Sequence, residues 1–281
     1  MIKFLHFLSQ RKALNLTLGI IVYLLVTLPH EIVGITIAGI FKGVPRSQYD
    51  LTILIFSLII LLFFGIYLFL QINRLDKPRY PVAFFTLCLL CIAVSFNMLI
   101  IVNIEIIHFI QYCFLAILLF PLSKNLFTTI VLVTFLGAID EAYQYYFLSP
   151  ERTNYYDFND VILNLLGAVM GMIFLRSHKG IRALLLDSIS TFKKTWTRYF
   201  GMVLLLTLVV WQKDLVQKGI NTVNLDLDWT GYGAILIRKH TTSFWTEIPP
   251  QILYHVVQPI EGLLIITTLL FIFSFLYKHA E

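Results

Sequence analysis

The residues of this chain that could do chemistry fall in two stretches. The first carries Glu105, His108 and Tyr112, with Gln111 among them. Spacings of three and four predict that Glu105, His108 and Tyr112 share one face of a helix. The second carries Glu141 and Gln144, then Arg152, then Asp157, Asp160 and Asn164. From Asp157 the series runs on through Gly167 and Gly171 in steps of 3, 4, 3 and 4. That is one helical stripe, polar at its start and bare below. An imidazole among carboxylates can take and return a proton. A guanidinium suits a phosphate, and paired acids with a histidine suit a divalent cation. No nucleophile motif accompanies them, neither GxSxG nor a cysteine with a histidine partner. No metal and no cofactor is assigned from the sequence.

Each of these residues also has a plainer reading. Asp157 at a helix start is suited to cap free N–H groups and to meet the positive end of the helix dipole. Asp160 and Asn164 suit a polar clasp between helices, and Gly167 and Gly171 form a GxxxG that lets another backbone approach closely. A histidine hydrogen-bonded to a neighbour is commoner in membranes than a proton relay. Two other patterns carry nothing. His30–Glu31 begins like HExxH, but Gly34 stands where the second histidine belongs. Cys88 and Cys91 form a CxxC without a second pair or a nearby histidine, and read as packing.

The elements that must position the polar residues are apolar. Of 281 residues, 58% are hydrophobic and 13% charged, and the mean hydropathy is +0.82. Soluble domains run about 25% charged. The excess of apolar surface predicts a bilayer as solvent, with 24 Phe and 14 Tyr available for lipid-facing and interfacial positions. Eight apolar runs approach the length that crosses a bilayer as a helix: 14–35, 51–72, 82–102, 106–122, 126–147, 161–175, 199–216 and 259–277. Backbone groups cannot be left unpaired in lipid, so the expected fold is an all-α polytopic transmembrane bundle. Three parts are expected: two N-terminal spans (1–81), a core (82–177), and a C-terminal part (178–281). The last holds a basic amphipathic segment (178–198), an outer segment (212–256) and two further spans. Residues 231–237 read as a short strand or an interfacial turn.

The net charge of +5 reads as orientation in the membrane rather than as a nucleic-acid surface. Lys3, Arg11 and Lys12 precede the first run. Arg74, Lys77 and Arg79 separate the second and third. Lys124 lies between the fourth and fifth, and Arg176, Lys179, Arg182, Lys193, Lys194 and Arg198 lie between the sixth and seventh. With eight spans all fall on one side, which the positive-inside rule makes cytoplasmic, with both termini there. The first run has no small-residue cleavage site after it and reads as a retained anchor. The fourth run then begins outside, the fifth ends outside and the sixth begins outside. The polar ends therefore converge on one extracytoplasmic site of Glu105, His108, Tyr112, Glu141, Gln144, Arg152, Asp157, Asp160 and Asn164. Ionisable groups at such depth cost about 2.5–3.5 kcal/mol each on insertion scales, which marks the cluster for function.

The stretch Glu105-Ile-Ile-His108-Phe109-Ile-Gln-Tyr112 resembles the helix that carries an acidic residue and HFxxY in VanZ-like membrane proteins. Glu141-x-x-Gln144, Arg152, Asp157-x-x-Asp160-Val161, Asn164-x-x-Gly167 and Gly171 resemble that family's second signature. The resemblance covers about residues 82–177. It implies a multi-pass protein of the cell membrane. The family's name comes from a protein associated with low-level resistance to teicoplanin, a lipid-tailed glycopeptide acting outside the cytoplasmic membrane.

Two readings follow for function. The first is a non-catalytic protein that binds an envelope lipid, another amphiphile or a membrane protein partner at its outer face. The second is a membrane-embedded enzyme acting on a lipid-linked or cell-wall substrate, with His108 as acid or base and Arg152 on a phosphate. A transporter ranks below both, because no symmetric pair of broken spans is visible. The bilayer itself is the expected surrounding partner, and no nucleic acid is expected.

Overall fold

The computed structural model describes residues 1–72, 79–100, 103–145, 156–184, 194–201, 216–218, 234–236, 245–248, 252–255, 257 and 259–278. The helices are α1 (Ile2–Gln10), α2 (Lys12–Thr27), α3 (His30–Ile40), α4 (Arg46–Ile72), α5 (Arg79–Met98), α6 (Ile107–Ser123), α7 (Leu126–Tyr143), α8 (Phe158–Arg176), α9 (residues 194–201) and α10 (Pro259–Lys278). Four of them, α4, α5, α7 and α8, are long and apolar enough to cross a membrane. α2, α6 and most of α10 are shorter apolar helices.

Local chemistry sets the ends of the central helices. α6 closes on Lys124 in the left-handed conformation (φ 53°), and its N–H donates to the Phe120 carbonyl. The next residue, Asn125, caps α7 by accepting from the Thr128 N–H at 2.8 Å. The two helices are thus antiparallel neighbours across a tight turn. Asp157 caps α8 in the same way, accepting from the Asn159 N–H at 2.8 Å. This start lies three residues ahead of the expected span.

The core is built around α8. It packs on α6, α7, α5 and α10, and Leu163, Leu165, Leu166, Ala168, Val169 and Met172 on it are fully buried. A methyl group at Gly167 would stand 2.7 Å from the Phe109 carbonyl oxygen, and one at Gly171 2.5 Å from that of Cys113. Both glycines therefore let the α6 backbone lie directly against α8. Cys88 is buried against α8, its thiol 3.7 Å from the Leu166 carbonyl, and the three cysteines are free.

Three regions differ from the sequence reading. The expected first span, 14–35, is interrupted. α2 ends at Thr27, and α3 starts anew with the Val33 N–H on the Pro29 carbonyl. Proline has no N–H to continue the ladder of α2. Ahead of it lies α1, which no expected span included. Its Leu5 and Leu8 are buried, and it packs on α6 and on a 3-10 turn at Lys179–Leu184. The outer segment is not helical where it is described, so the all-α expectation holds for the bundle alone; the expected short strand within 231–237 is there as Ala234–Leu236. Val216–Lys218 pairs antiparallel with Ala234–Leu236, and Trp245–Ile248 with Ile252–His255. Ile, Trp, Thr and Tyr in these short runs favour strands over helix. Most of the expected seventh span and all of residues 185–193 lie outside the described residues.

Candidate functional site

α6, α7 and α8 bring their polar ends to the same end of the bundle. α6 begins there, α7 ends there and α8 begins there. The basic residues Lys124 and Arg176 lie at the opposite ends of α6 and α8, on the side that α1 covers.

His108 stands in the first turn of α6 and is 2% exposed. Its Nδ1 lies 2.9 Å from Asn164 Oδ1 on α8. An amide oxygen only accepts, so with the Asn164 amide in this orientation the Nδ1 nitrogen carries the proton. The ring's other nitrogen, Nε2, lies 3.4 Å from Asp160 Oδ2. Asp160 and Asn164 are one turn apart on α8, so the imidazole bridges two steps of the polar stripe. Glu141, near the end of α7, completes the group. One ligating atom from each of His108, Glu141 and Asp160 lies within 4.8 Å of the other two. The Gln144 amide holds Glu141 by donating to its Oε1 at 2.9 Å.

A second polar layer joins α6 to α7. The Tyr112 hydroxyl donates to Asp140 Oδ2 at 2.8 Å, and both residues are fully buried. The His108 and Tyr112 rings are 6.3 Å apart and nearly parallel, so these two do share a helix face. Glu105 does not continue that face as helix. It sits half-buried in a 3-10 turn, Asn103–Ile106, ahead of α6. Two buried polar atoms of this region, Asp140 Oδ1 and Asn164 Nδ2, have no hydrogen-bond partner among the described residues. Asp157 lies at the rim as the α8 cap. Burial and the adjacent Asp160 carboxylate push its carboxyl up to about 7, against the pull of the capped N–H groups. Arg152 lies outside the described residues.

Three residues outside the expected site complete the arrangement. Asn159, on the other side of α8 from the stripe, donates to the Leu99 carbonyl at 3.0 Å and the His255 carbonyl at 2.7 Å. Its own Oδ1 accepts from the Val257 N–H at 2.8 Å. It thereby fastens α8 to the end of α5 and to the segment entering α10. Gly137 on α7 faces Asn164, where a methyl group would stand 2.9 Å from the Asn164 side chain. Asp140 rather than Glu141 pairs with Tyr112. Asn159 had one available signal, as a polar residue in the first turn of an otherwise apolar helix. Gly137 had none beyond being glycine.

Geometrically, the site is a buried imidazole held in one orientation, facing two carboxylates, at the end of a tightly packed three-helix unit. Comparison with protein families returns a match of the VanZ/LLP1 family model to residues 54–181. This stretch, from within α4 to the 3-10 turn after α8, is VanZ-like. Neither the curated proteins nor the solved structures contain a match to the chain.

Proposed function

We propose that this VanZ-like membrane protein acts on the polar head of an amphiphile in the outer leaflet of the cell membrane, with the cluster of His108, Glu141 and Asp160 as its reactive centre. The observation that carries the reading is the convergence of His108 Nε2 with two carboxylates at one end of the bundle. A bundle that needed only a clasp would be served by the paired groups, such as Tyr112 with Asp140. Three proton-accepting groups turned toward one point are suited to withdraw a proton from a hydroxyl or a water. By the positive-inside rule the basic residues at the opposite end support an outward-facing site, in an eight-span topology with both termini in the cytoplasm.

A site for the amphiphile's tail lies alongside. An apolar groove of about 420 Å³ runs between α4, α5 and α6, lined by Leu61, Phe64, Ile92, Phe96, Phe109 and Ile110 among others. Phe109 and Ile110 follow His108 directly in sequence, so the groove lies on the neighbouring face of the first turns of α6. A lipid-linked phosphate or sugar, or a lipid-tailed glycopeptide, has the matching division into chain and polar head.

The test uses the purified full-length protein in vesicles that contain a polyprenyl-diphosphate-linked sugar, with release of the head group as the readout. Turnover by the wild type should fall at least about 100-fold in Asp160→Asn and Glu141→Gln, the scale of losing an acid or base. Equal turnover in all three proteins would sink the reading. A non-catalytic reading draws on Gln144 and Asn164, which already hold Glu141 and His108. Saturable binding of the lipid by the wild type, without turnover, would decide for it.

A further inference from the structure

We infer that His108 Nε2, Glu141 and Asp160 form a binding site for one first-row divalent cation, zinc or manganese, with a coordination position open to the polar head. The inference rests on the head-group reading for that last clause alone. The site itself is argued from three facts of geometry.

First, the acceptors face one another. With the Nδ1 proton given to Asn164 Oδ1, a neutral His108 turns the lone pair of Nε2 toward Asp160 Oδ2 at 3.4 Å. A carboxylate oxygen of Glu141 joins them within 4.8 Å. Lone pairs assembled this way repel unless a proton or a cation lies between them, and a cation can satisfy all three at once. Among the described residues no lysine or arginine pairs with Asp140, Glu141 or Asp160. Second, the closest pair already has the spacing of two ligands of one ion. Ligands about 2.0–2.2 Å from a tetrahedral ion stand roughly 3.3–3.6 Å from one another, and His108 Nε2 and Asp160 Oδ2 are 3.4 Å apart; the Glu141 oxygen, within 4.8 Å, closes on the ion by a side-chain adjustment. Third, the imidazole is held as a metal-bound imidazole is held, with its other nitrogen donating to a fixed oxygen. Asn164 is that oxygen's owner, and Gly137 leaves the room for it.

The donor set selects the ion. One imidazole with two carboxylates suits zinc and manganese, while calcium and magnesium favour all-oxygen sites with more ligands. Three protein ligands leave a fourth position free. That is the arrangement in which a cation polarises a phosphoryl or carbonyl oxygen or lowers the pKa of a bound water.

The test needs no substrate, so its outcome is independent of the turnover assay. Full-length protein in detergent is stripped with a chelator, incubated with zinc or manganese chloride, desalted and assayed for metal by mass spectrometry. Thermal unfolding is followed in parallel. The wild type should retain one ion per chain and unfold at a higher temperature with the ion than without it. Asp160→Asn and Glu141→Gln should lose both effects while keeping the metal-free unfolding temperature of the wild type. Asn164→Ala should weaken retention about 10- to 100-fold. Two outcomes would overturn the inference: wild type with no stoichiometric ion, or undiminished ion content in Asp160→Asn and Glu141→Gln. Head-group turnover without an ion would reject the cation and keep the proposed function; an ion without turnover would do the reverse.

Discussion

α4 and α8 are both apolar helices long enough to cross a membrane, yet they occupy opposite extremes of the fold. Only 11% of the span of α4 is buried, against 89% of that of α8. α4 is the more uniformly apolar of the two, with Leu62, Phe63 and Phe69 turned outward. Water would have driven the more apolar helix inward. In lipid that driving force is absent, and close backbone approach with interhelical hydrogen bonds decides instead. α8 has both, through Gly167, Gly171, Asn159 and Asn164. α4 has Gly65, where a methyl group would stand 4.0 Å from the nearest Phe85 ring atom, and Ser57, which bonds its own helix at Ile53. The candidate site sits on the first kind of helix. A reactive group has to be held in place, and only the tightly packed unit can hold it.

The largest expected effect breaks this contrast at its glycines. Gly167→Leu would drive a side chain into the α6 backbone at Phe109, where nothing can rotate away. Loss of about 3 kcal/mol or more is expected, beyond ordinary overpacking because the obstacle is main chain. Gly65→Leu on α4 should leave the unfolding temperature within a few degrees of the wild type. Thermal unfolding read by labelling of the free thiols measures both, since Cys88 is buried between α5 and α8. Equal losses at the two glycines would remove the distinction between the two helices.

An intermediate effect is expected at Asn159. Alanine there leaves the Leu99 and His255 carbonyls and the Val257 N–H without their partner. Stranded buried groups cost about 1–3 kcal/mol. Because these bonds tie α8 to the segment entering α10, the loss should come with faster proteolysis of the outer segment before α6 to α8 unfold. Limited digestion at increasing temperature would show the order. Digestion of the outer segment at the wild-type rate would make Asn159 a local contact of α8 and nothing more.

The contrast between α4 and α8 was partly legible in the sequence, because a stripe of Asp, Asn and Gly is visible in α8 and no such stripe interrupts α4. The direction of the polar ends was legible for the same reason that helices are regular: alternate spans reverse, and charged loops say where. What escaped depends on rotation and on partners. Asp140 and Glu141 are adjacent, so they face different ways. Choosing which meets Tyr112 requires the angle at which α7 is turned toward α6. Asn159 lies off the stripe that periodicity picks out, and its partners are backbone atoms far away in sequence, which no spacing rule reaches. α1 is too short to register as a span. Leu5 and Leu8 declare themselves only once α6 and the turn after α8 offer a surface to bury them. The family match begins at residue 54, inside the loosely packed α4, although the quoted motifs begin only at Glu105. α4 lends the motif helices one wall of the apolar groove.

The smallest effects test whether polar groups in the two regions do different work. Tyr112 and Ser57 are both buried and both hydrogen-bonded at about 2.8 Å, so local geometry does not distinguish them. They differ in what they join. Tyr112 links α6 to α7 through Asp140, whereas Ser57 returns its hydroxyl proton to a carbonyl already engaged in its own helix. Removing the first leaves a buried carboxylate oxygen unpaired; removing the second leaves a helix ladder intact. Measured interhelical hydrogen bonds in membranes average about 0.6 kcal/mol and reach about 1.7. Tyr112→Phe should fall toward the upper figure because the acceptor is a carboxylate, and Ser57→Ala should stay within about 0.5 kcal/mol of the wild type. Equilibrium unfolding of both variants in mixed detergent reads the difference directly. A Ser57→Ala loss as large as that of Tyr112→Phe would mean that α4 is anchored through its polar groups, and that its exposure is not a sign of weak attachment.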